Sequence, residues 1–209
     1  FSETQRGNGS GMEHIKPQII LASASARRAR ILTECGIPFT VCISHVDEVT
    51  RPYRSPRDNV LENARLKAEA VSQKHTQEYV IGVDTVVSFQ DHIIGKPRDM
   101  READSFLKLF SGNDLVVYSG ISVVCAHKGI YVSGVDTTSV RVRRMSKRMR
   151  GHILECIDPL DRAGGFSIEG IGSFIFDSVD GSFYNVLGLP MARLYDLFRD
   201  IGVDLLDYV

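Results

Sequence analysis

Apolar positions along this chain fall into short runs separated by amphipathic stretches, the pattern of strands interspersed with helices. Ile19-Ile20-Leu21-Ala22 is a brief apolar run that breaks into Ser23-Ala24-Ser25 and then into a helical pattern from Ala26 to Cys35, stopped at Gly36. Ser25 suits an N-cap and Gly36 a C-terminal stop, so strand, loop and helix are expected in that order. A second strand is expected over 39–44, followed by Asp47-Glu48 in a loop. Ser55-Pro56 opens a helix to about Gln73, with serine as cap and proline in the first turn. Val60, Ala64, Ala68 and Val71 recur at helical spacing and mark its inward stripe. Seven residues wound at about 100° each place Lys67 about 20° from Val60, on that same stripe. Either an anion meets it there, or its stem packs while its ammonium reaches water.

Tyr79 to Val83 is a β-rich run expected to end at Asp84-Thr85, with Val86 to Ile94 continuing as a hairpin that turns near Gln90-Asp91. A helix over about 100–110, two long strands over 115–126 and 130–142, and a helix capped by Ser146 follow. A turn-rich stretch over 161–170 leads to a strand over 173–179, then to a strand or loop over 183–190 that enters a helix starting at Pro190. This order predicts an α/β protein with a mixed sheet flanked by helices, rather than a purely doubly wound one. No repeat or linker divides residues 17–209, which are expected to form one domain. Residues 1–16, rich in Gly, Ser, Gln and charge without periodicity, read as a flexible leader or tag.

Composition narrows the function classes. Lys plus Arg total 25 against 26 Asp plus Glu, so no global field attracts nucleic acid or an acidic membrane, and any anion site must be local. The cluster Arg141, Arg143, Arg144, Lys147, Arg148 and Arg150 has no interleaved aromatics for base stacking and reads as a solvated face. No nucleic-acid partner is therefore expected. Cys35, Cys42, Cys125 and Cys156 form no CxxC pair and read as reduced, intracellular core thiols. No apolar run approaches the roughly 18 residues of a membrane helix. A cytoplasmic protein without a membrane partner is the expectation.

Three constellations could carry chemistry. In Ser23-Ala24-Ser25-Ala26-Arg27-Arg28, small residues at a strand-to-helix junction expose backbone N–H groups beside hydroxyls and guanidiniums, as a phosphate cradle requires. It lacks the spacing of a P-loop. Asp47-Glu48, Asp84 and Lys96 lie at element ends, where mixed charges near one sheet edge suit a metal and a polyphosphate. In Asp161-Arg162-Ala163-Gly164-Gly165-Phe166-Ser167-Ile168-Glu169-Gly170, glycines allow close backbone approach while Arg162 and Glu169 supply opposite charges.

Taken in order, Leu21 to Arg28, Asp47-Glu48, Ala64-Arg65-Leu66-Lys67-Ala68, Gly82 to Val87, Gly95-Lys96-Pro97, Asp161 to Gly164 and Asn185 to Pro190 closely resemble the Maf, or septum formation, family over roughly residues 18 to 205. The resemblance implies a Mg²⁺- or Mn²⁺-dependent nucleoside triphosphate pyrophosphatase that cuts between the α and β phosphates. It also implies a homodimer and a two-lobed α/β fold with a cleft, similar to inosine triphosphate pyrophosphatases. Residue by residue, Asp84 matches the family's proton acceptor, Glu48 and Lys67 match cleft residues, and Lys96 matches a phosphate-facing lysine. Ser23, Arg27 and Arg28 match the N-terminal substrate loop, to which Ser25 belongs. Glu48 and Asp84 are the candidate metal ligands.

Two departures stand out. Ala26 replaces the family's usual proline. In the base-selecting set, Arg27 and Thr85 resemble the dTTP and UTP pattern of Arg, Thr and Gln, whereas Glu169 resembles the 7-methyl-GTP pattern. The expectation is a dTTP/UTP pyrophosphatase. A 7-methyl-GTP enzyme and a non-catalytic nucleotide-binding regulator of cell division are the alternatives.

Overall fold

The computed structural model describes residues 18–51, 54–160 and 163–209. Seven strands make one mixed sheet: β1 (Ile19–Leu21), β2 (Thr40–Val41), β3 (Tyr79–Phe89), β4 (His92–Ile94), β5 (Asp114–Cys125), β6 (Ile130–Val142) and β7 (Phe176–Asp180). Their order is β2-β1-β3-β5-β6-β7, with β4 also on β3. β1 runs parallel to β2 and β3, and every other pairing is antiparallel, so the expected mixed sheet is the one observed. Among the described residues, six α-helices flank it: α1 (Ala26–Glu34), α2 (Pro56–Ser72), α3 (Met100–Phe110), α4 (Lys147–Cys156), α5 (Phe183–Leu187) and α6 (Met191–Asp200). Ser25, Ser55 and Ser146 each accept a backbone N–H at a helix start, as read from the chain.

The pleat sorts β3 between two cores. Tyr79, Ile81 and Val83 enter the larger one, with Leu107, Phe110 and Phe198, while Val80 packs with Ala68 and Val71 beneath α2. Two glycines let α2 lie directly on the strands. A Cβ on Gly82 would stand 2.1 Å from the Ala64 carbonyl oxygen, and one on Gly120 would stand 2.2 Å from that of Val60. Asp84 is the β3 partner of Gly120, two residues beyond Gly82, so the helix passes closest to the sheet beside that carboxylate.

Several local expectations need correction. β3 does not stop at Asp84-Thr85: it continues through them to Phe89, because β5 pairs with it from Val80 to Ser88. The predicted turn at Gln90-Asp91 is present, both residues having left-handed backbones. β2 shrinks to two exposed residues at the sheet edge. The strand expected over 173–179 begins only at Phe176, because Gly170 is left-handed and the chain winds into a 3-10 turn over Gly170–Ile175. The stretch over 183–190 forms α5 rather than a strand or loop, capped by Ser182 and ended by left-handed Gly188. All four cysteines are free, but only Cys125 is a core thiol; Cys156 is exposed.

Candidate functional site

The site arises from a break in the sheet. On one edge of β3, β1 pairs with Tyr79–Ile81 and β4 with Val87–Phe89, so among the described residues no strand lies beside 82–86 there. Two side chains take the place of the missing backbone donors. Arg28 Nη1 donates to the Val83 carbonyl at 3.0 Å and Lys67 Nζ donates to it at 3.3 Å.

Lys67 is buried, at 7% exposure, and the inward position read from its spacing is explained by anions belonging to the protein. Its ammonium donates to Asp84 Oδ1 at 2.8 Å and to Glu48 Oε1 at 2.6 Å. Asn63 Nδ2 donates to Asp84 Oδ2 at 3.0 Å, so both carboxylate oxygens of this 4% exposed residue are held. Glu48 is different: its side chain is 61% exposed, on a loop without regular structure. That loop is held by α2. Asn63 exchanges hydrogen bonds with the Val49 N–H and carbonyl, and Asn59 does the same with Arg51. Asn59, Asn63 and Lys67 are spaced by four, so one row of α2 positions the loop, the first carboxylate and the second.

The Ser23–Arg28 segment forms the opposite wall. Ser23 Oγ accepts from the Ser25 N–H and from Arg28 Nη1, and Ser25 caps α1. Arg28 also donates from Nε to the Gly188 carbonyl at 2.8 Å and from Nη2 to Thr85 Oγ1 at 3.1 Å. Burial pushes its guanidinium below the ordinary arginine range, Asp84 and Glu48 oppose that shift, and Arg27 adds to it. Arg28 thus ties α1, β3 and the end of α5 together while also lining the cavity. Thr85 is likewise engaged, its Oγ1 lying 2.8 Å from Ser119 Oγ and 3.3 Å from the Gly188 carbonyl.

These walls bound a cavity of about 980 Å³. Ser23, Ser25, Arg27, Arg28, Glu48, Lys67, Thr85, Lys96 and Glu169 all line it, so nearly every candidate is brought to one place. Asp84 is not in the lining; it stands behind Lys67, because adjacent residues of a strand face opposite sides and Thr85 takes the cavity side. Arg162 and Asp161 lie outside the described residues. Val87, Val117, Ile168 and Val186 add an apolar portion to the lining.

At the rim, Glu169 is held by two guanidiniums of α1. Arg27 Nε lies 3.1 Å from its Oε2, and Arg30 Nη2 contacts its Oε1. Arg30, Asn59 and Asn63 were not singled out from the chain. The four-residue spacing of the two asparagines with Lys67 was the available signal. The basic cluster proves structural in part: Arg141 pairs with Asp114, Arg143 with Asp177 and Arg150 with Asp104. Among the described residues, no helix is long and apolar enough to cross a membrane.

A broken sheet edge, a buried lysine between two carboxylates and a rim rich in arginine and lysine define an α/β protein with a cleft suited to a polyanion. Comparison with known proteins sharpens that class. The model of the Maf-like protein family matches residues 18–201. A dTTP/UTP pyrophosphatase of Bacillus anthracis is 35% identical over 187 residues, spanning 90% of this chain and 97% of that protein. A protein of the same name from Bacillus cereus matches to the same extent. Among solved structures, that of a HAM1 protein from Coxiella burnetii covers 89% of this chain and 98% of its own, at 8% identity and a TM-score of 0.47. The chain belongs to the Maf family. The resemblance to that family is borne out, and the expectation of an enzyme acting on phosphoric anhydrides holds with it.

Proposed function

We propose that this protein is a nucleoside triphosphate pyrophosphatase that cuts between the α and β phosphates, leaving the monophosphate and pyrophosphate, with dTTP and UTP preferred. The observation that carries this reading is Lys67 held between Glu48 and Asp84 at the break in the sheet, facing the cationic rim. Relatives named dTTP/UTP pyrophosphatases support the pyrimidine preference.

The donor set fits a divalent cation of the magnesium type. Among the described residues no group of three or more His, Cys, Asp or Glu is placed to cage a metal. Such an ion needs none, since it takes one or two carboxylates and completes its shell with substrate phosphates and water. Glu48 and Asp84 are the two carboxylates that meet at Lys67, which is the number such an ion takes from a protein. Glu48 and Asp84 would hold it, and Mg²⁺ or Mn²⁺ there would spread the charge of the phosphate oxygens.

The residues then divide the work. Lys96 holds the leaving pyrophosphate, Arg27 stands with Glu169 toward the base, and the apolar lining receives the nucleoside. An arriving phosphate offers Lys67 a further anion, and a shift of its ammonium away from Asp84 uncovers that carboxylate to water. Asp84, its other oxygen kept in place by Asn63, orients and deprotonates the attacking water. The family resemblance also supports a homodimer.

A panel of dTTP, UTP, CTP and 7-methyl-GTP with Mg²⁺ or Mn²⁺, assayed for pyrophosphate release, tests the reading. Asp84→Asn is expected to lower kcat by roughly 10²–10⁴, the usual worth of general-base catalysis. Undiminished turnover in that mutant would remove Asp84 from the role of base. A wild type inert on the whole panel would favour a nucleotide-binding regulator instead. One observation favours a second substrate: Glu169 is a carboxylate at a base-selecting position, so 7-methyl-GTP belongs in the panel.

A further inference from the structure

The row of α2 that carries Lys67 grips the preceding loop in a fixed register. Asn63 Oδ1 accepts the Val49 N–H at 2.9 Å while its Nδ2 donates to the Val49 carbonyl at 3.2 Å, and Asn59 holds Arg51 in the same way, at 2.8 and 3.2 Å. Each side-chain amide thus pairs with one residue's backbone as a neighbouring strand would. The spacings match: four helical residues rise about 6 Å, and two residues of extended chain cover about 6.6 Å. The loop runs antiparallel to the helix, with Arg51 on Asn59, Val49 on Asn63 and then the Glu48 side chain on Lys67. A reversed amide would set oxygen against carbonyl and N–H against N–H, so the orientation of each is fixed by its partners. Asn59 and Asn63 are 1% and 3% exposed, which shields both grips from water.

We infer that Asn59 is a positioning residue for Glu48: together with Asn63 it fixes the register of the loop on α2, and that register delivers Glu48, rather than the adjacent Asp47, to Lys67. This rests on the pyrophosphatase reading above, in which Glu48 serves the reaction. Successive residues of an extended chain face opposite ways, so a slip of one residue would exchange the two carboxylates. Glu48 lines the cavity and Asp47 does not. Asn63 also donates to Asp84, so its loss would disturb both site carboxylates at once. The bonds of Asn59 go elsewhere: beyond Arg51, its Nδ2 donates to the Arg54 and Ser55 carbonyls at the entry to α2. Glu62 of the same helix contacts the side chains of Arg51 and Arg54, but these groups are a quarter or more exposed and such pairs contribute little. What Asn59 does for the reaction therefore runs through the loop to Glu48.

The test is a double-mutant cycle of Asn59→Ala with Glu48→Gln, read as pyrophosphate release from UTP with Mg²⁺ at enzyme excess so that slow rates are measured, beside amide hydrogen exchange at Val49 and Arg51. Asn59→Ala is expected to speed exchange of the Arg51 N–H and to lower the rate about tenfold or more, as loss of a residue that orients a site ligand does. In the Glu48→Gln background the same substitution is expected to change the rate by less than about twofold, since its route to the reaction is already cut. Asn59→Asp keeps the acceptor for the Arg51 N–H and places its charge in the first turns of α2, where a carboxylate is tolerated. It is expected to fall between wild type and Asn59→Ala, and it carries the same comparison if the alanine variant does not fold. An equal loss in both backgrounds marks Asn59 as merely structural and overturns the inference, as does an unchanged rate or unchanged Arg51 exchange; each leaves the pyrophosphatase reading intact. A wild type inert on every nucleotide overturns both.

Discussion

Lys67 Nζ stands 2.8 Å from Asp84 Oδ1, and the two residues are 7% and 4% exposed. An ammonium and a carboxylate this deeply buried hold each other's charge, with Glu48 and Asn63 completing the hydrogen bonds. Lys67→Met leaves Asp84 without its cation and is expected to cost about 3–5 kcal/mol, as removal of one partner of a buried pair does. Urea denaturation of the single mutant beside Lys67→Met/Asp84→Leu checks this. The double mutant should regain much of the loss.

Gly82 sets how closely α2 approaches the sheet. An alanine there would bring its Cβ within 2.7 Å of the Ala68 nitrogen as well as against the Ala64 carbonyl, both backbone atoms that cannot rotate away. Gly82→Ala is expected to destabilise the fold by about 3 kcal/mol or more. It should also lower activity, because the same helix carries Asn63 and Lys67. Thermal melts together with the pyrophosphate assay measure both effects.

Arg28 bonds to four oxygens on three different segments, two of them backbone carbonyls. Lysine lacks the planar fork that reaches them together. Arg28→Lys is expected to destabilise by about 1–3 kcal/mol through the carbonyls left unpaired. The mutant should also show a raised KM, since the Ser23 loop loses its tie to β3. Behaviour indistinguishable from wild type in both respects would show that the clamp is dispensable.

Near the C-terminus, burial, with Tyr79 and Asp207 adding to it, pushes the Tyr208 phenol up to about 12 from an ordinary value of 10.0. The unfolded chain therefore releases this proton at lower pH than the folded one. The contribution is fully present below pH 10.0 and is lost as pH rises through about 12. Tyr208→Phe should lose less stability than wild type between those values, read as the difference in denaturation midpoint at pH 9 and pH 11.5.

Much of this molecule was written locally in the chain. Ser25, Ser55 and Ser146 cap helices because a short hydroxyl beside an apolar periodic run satisfies orphan N–H groups whatever the tertiary context. The inward placement of Lys67 followed from helical geometry alone, and the gathering of Ser23, Arg27, Glu48, Lys96 and Glu169 from motifs in family order. What the chain could not show is set by partners distant in sequence. Asp84 read as a strand end, yet β5 carries the strand onward, and the functional edge lies where β1 and β4 leave β3 uncovered. Arg28 read from the chain only as a cation of the Ser23 loop, and the carbonyls and hydroxyls it bonds are ones that only folding brings together. Local pattern decides which residues form elements and which face they turn. The choice of which charge meets which is made across the sheet, by contacts such as Arg30 with Glu169 that no spacing along the chain encodes.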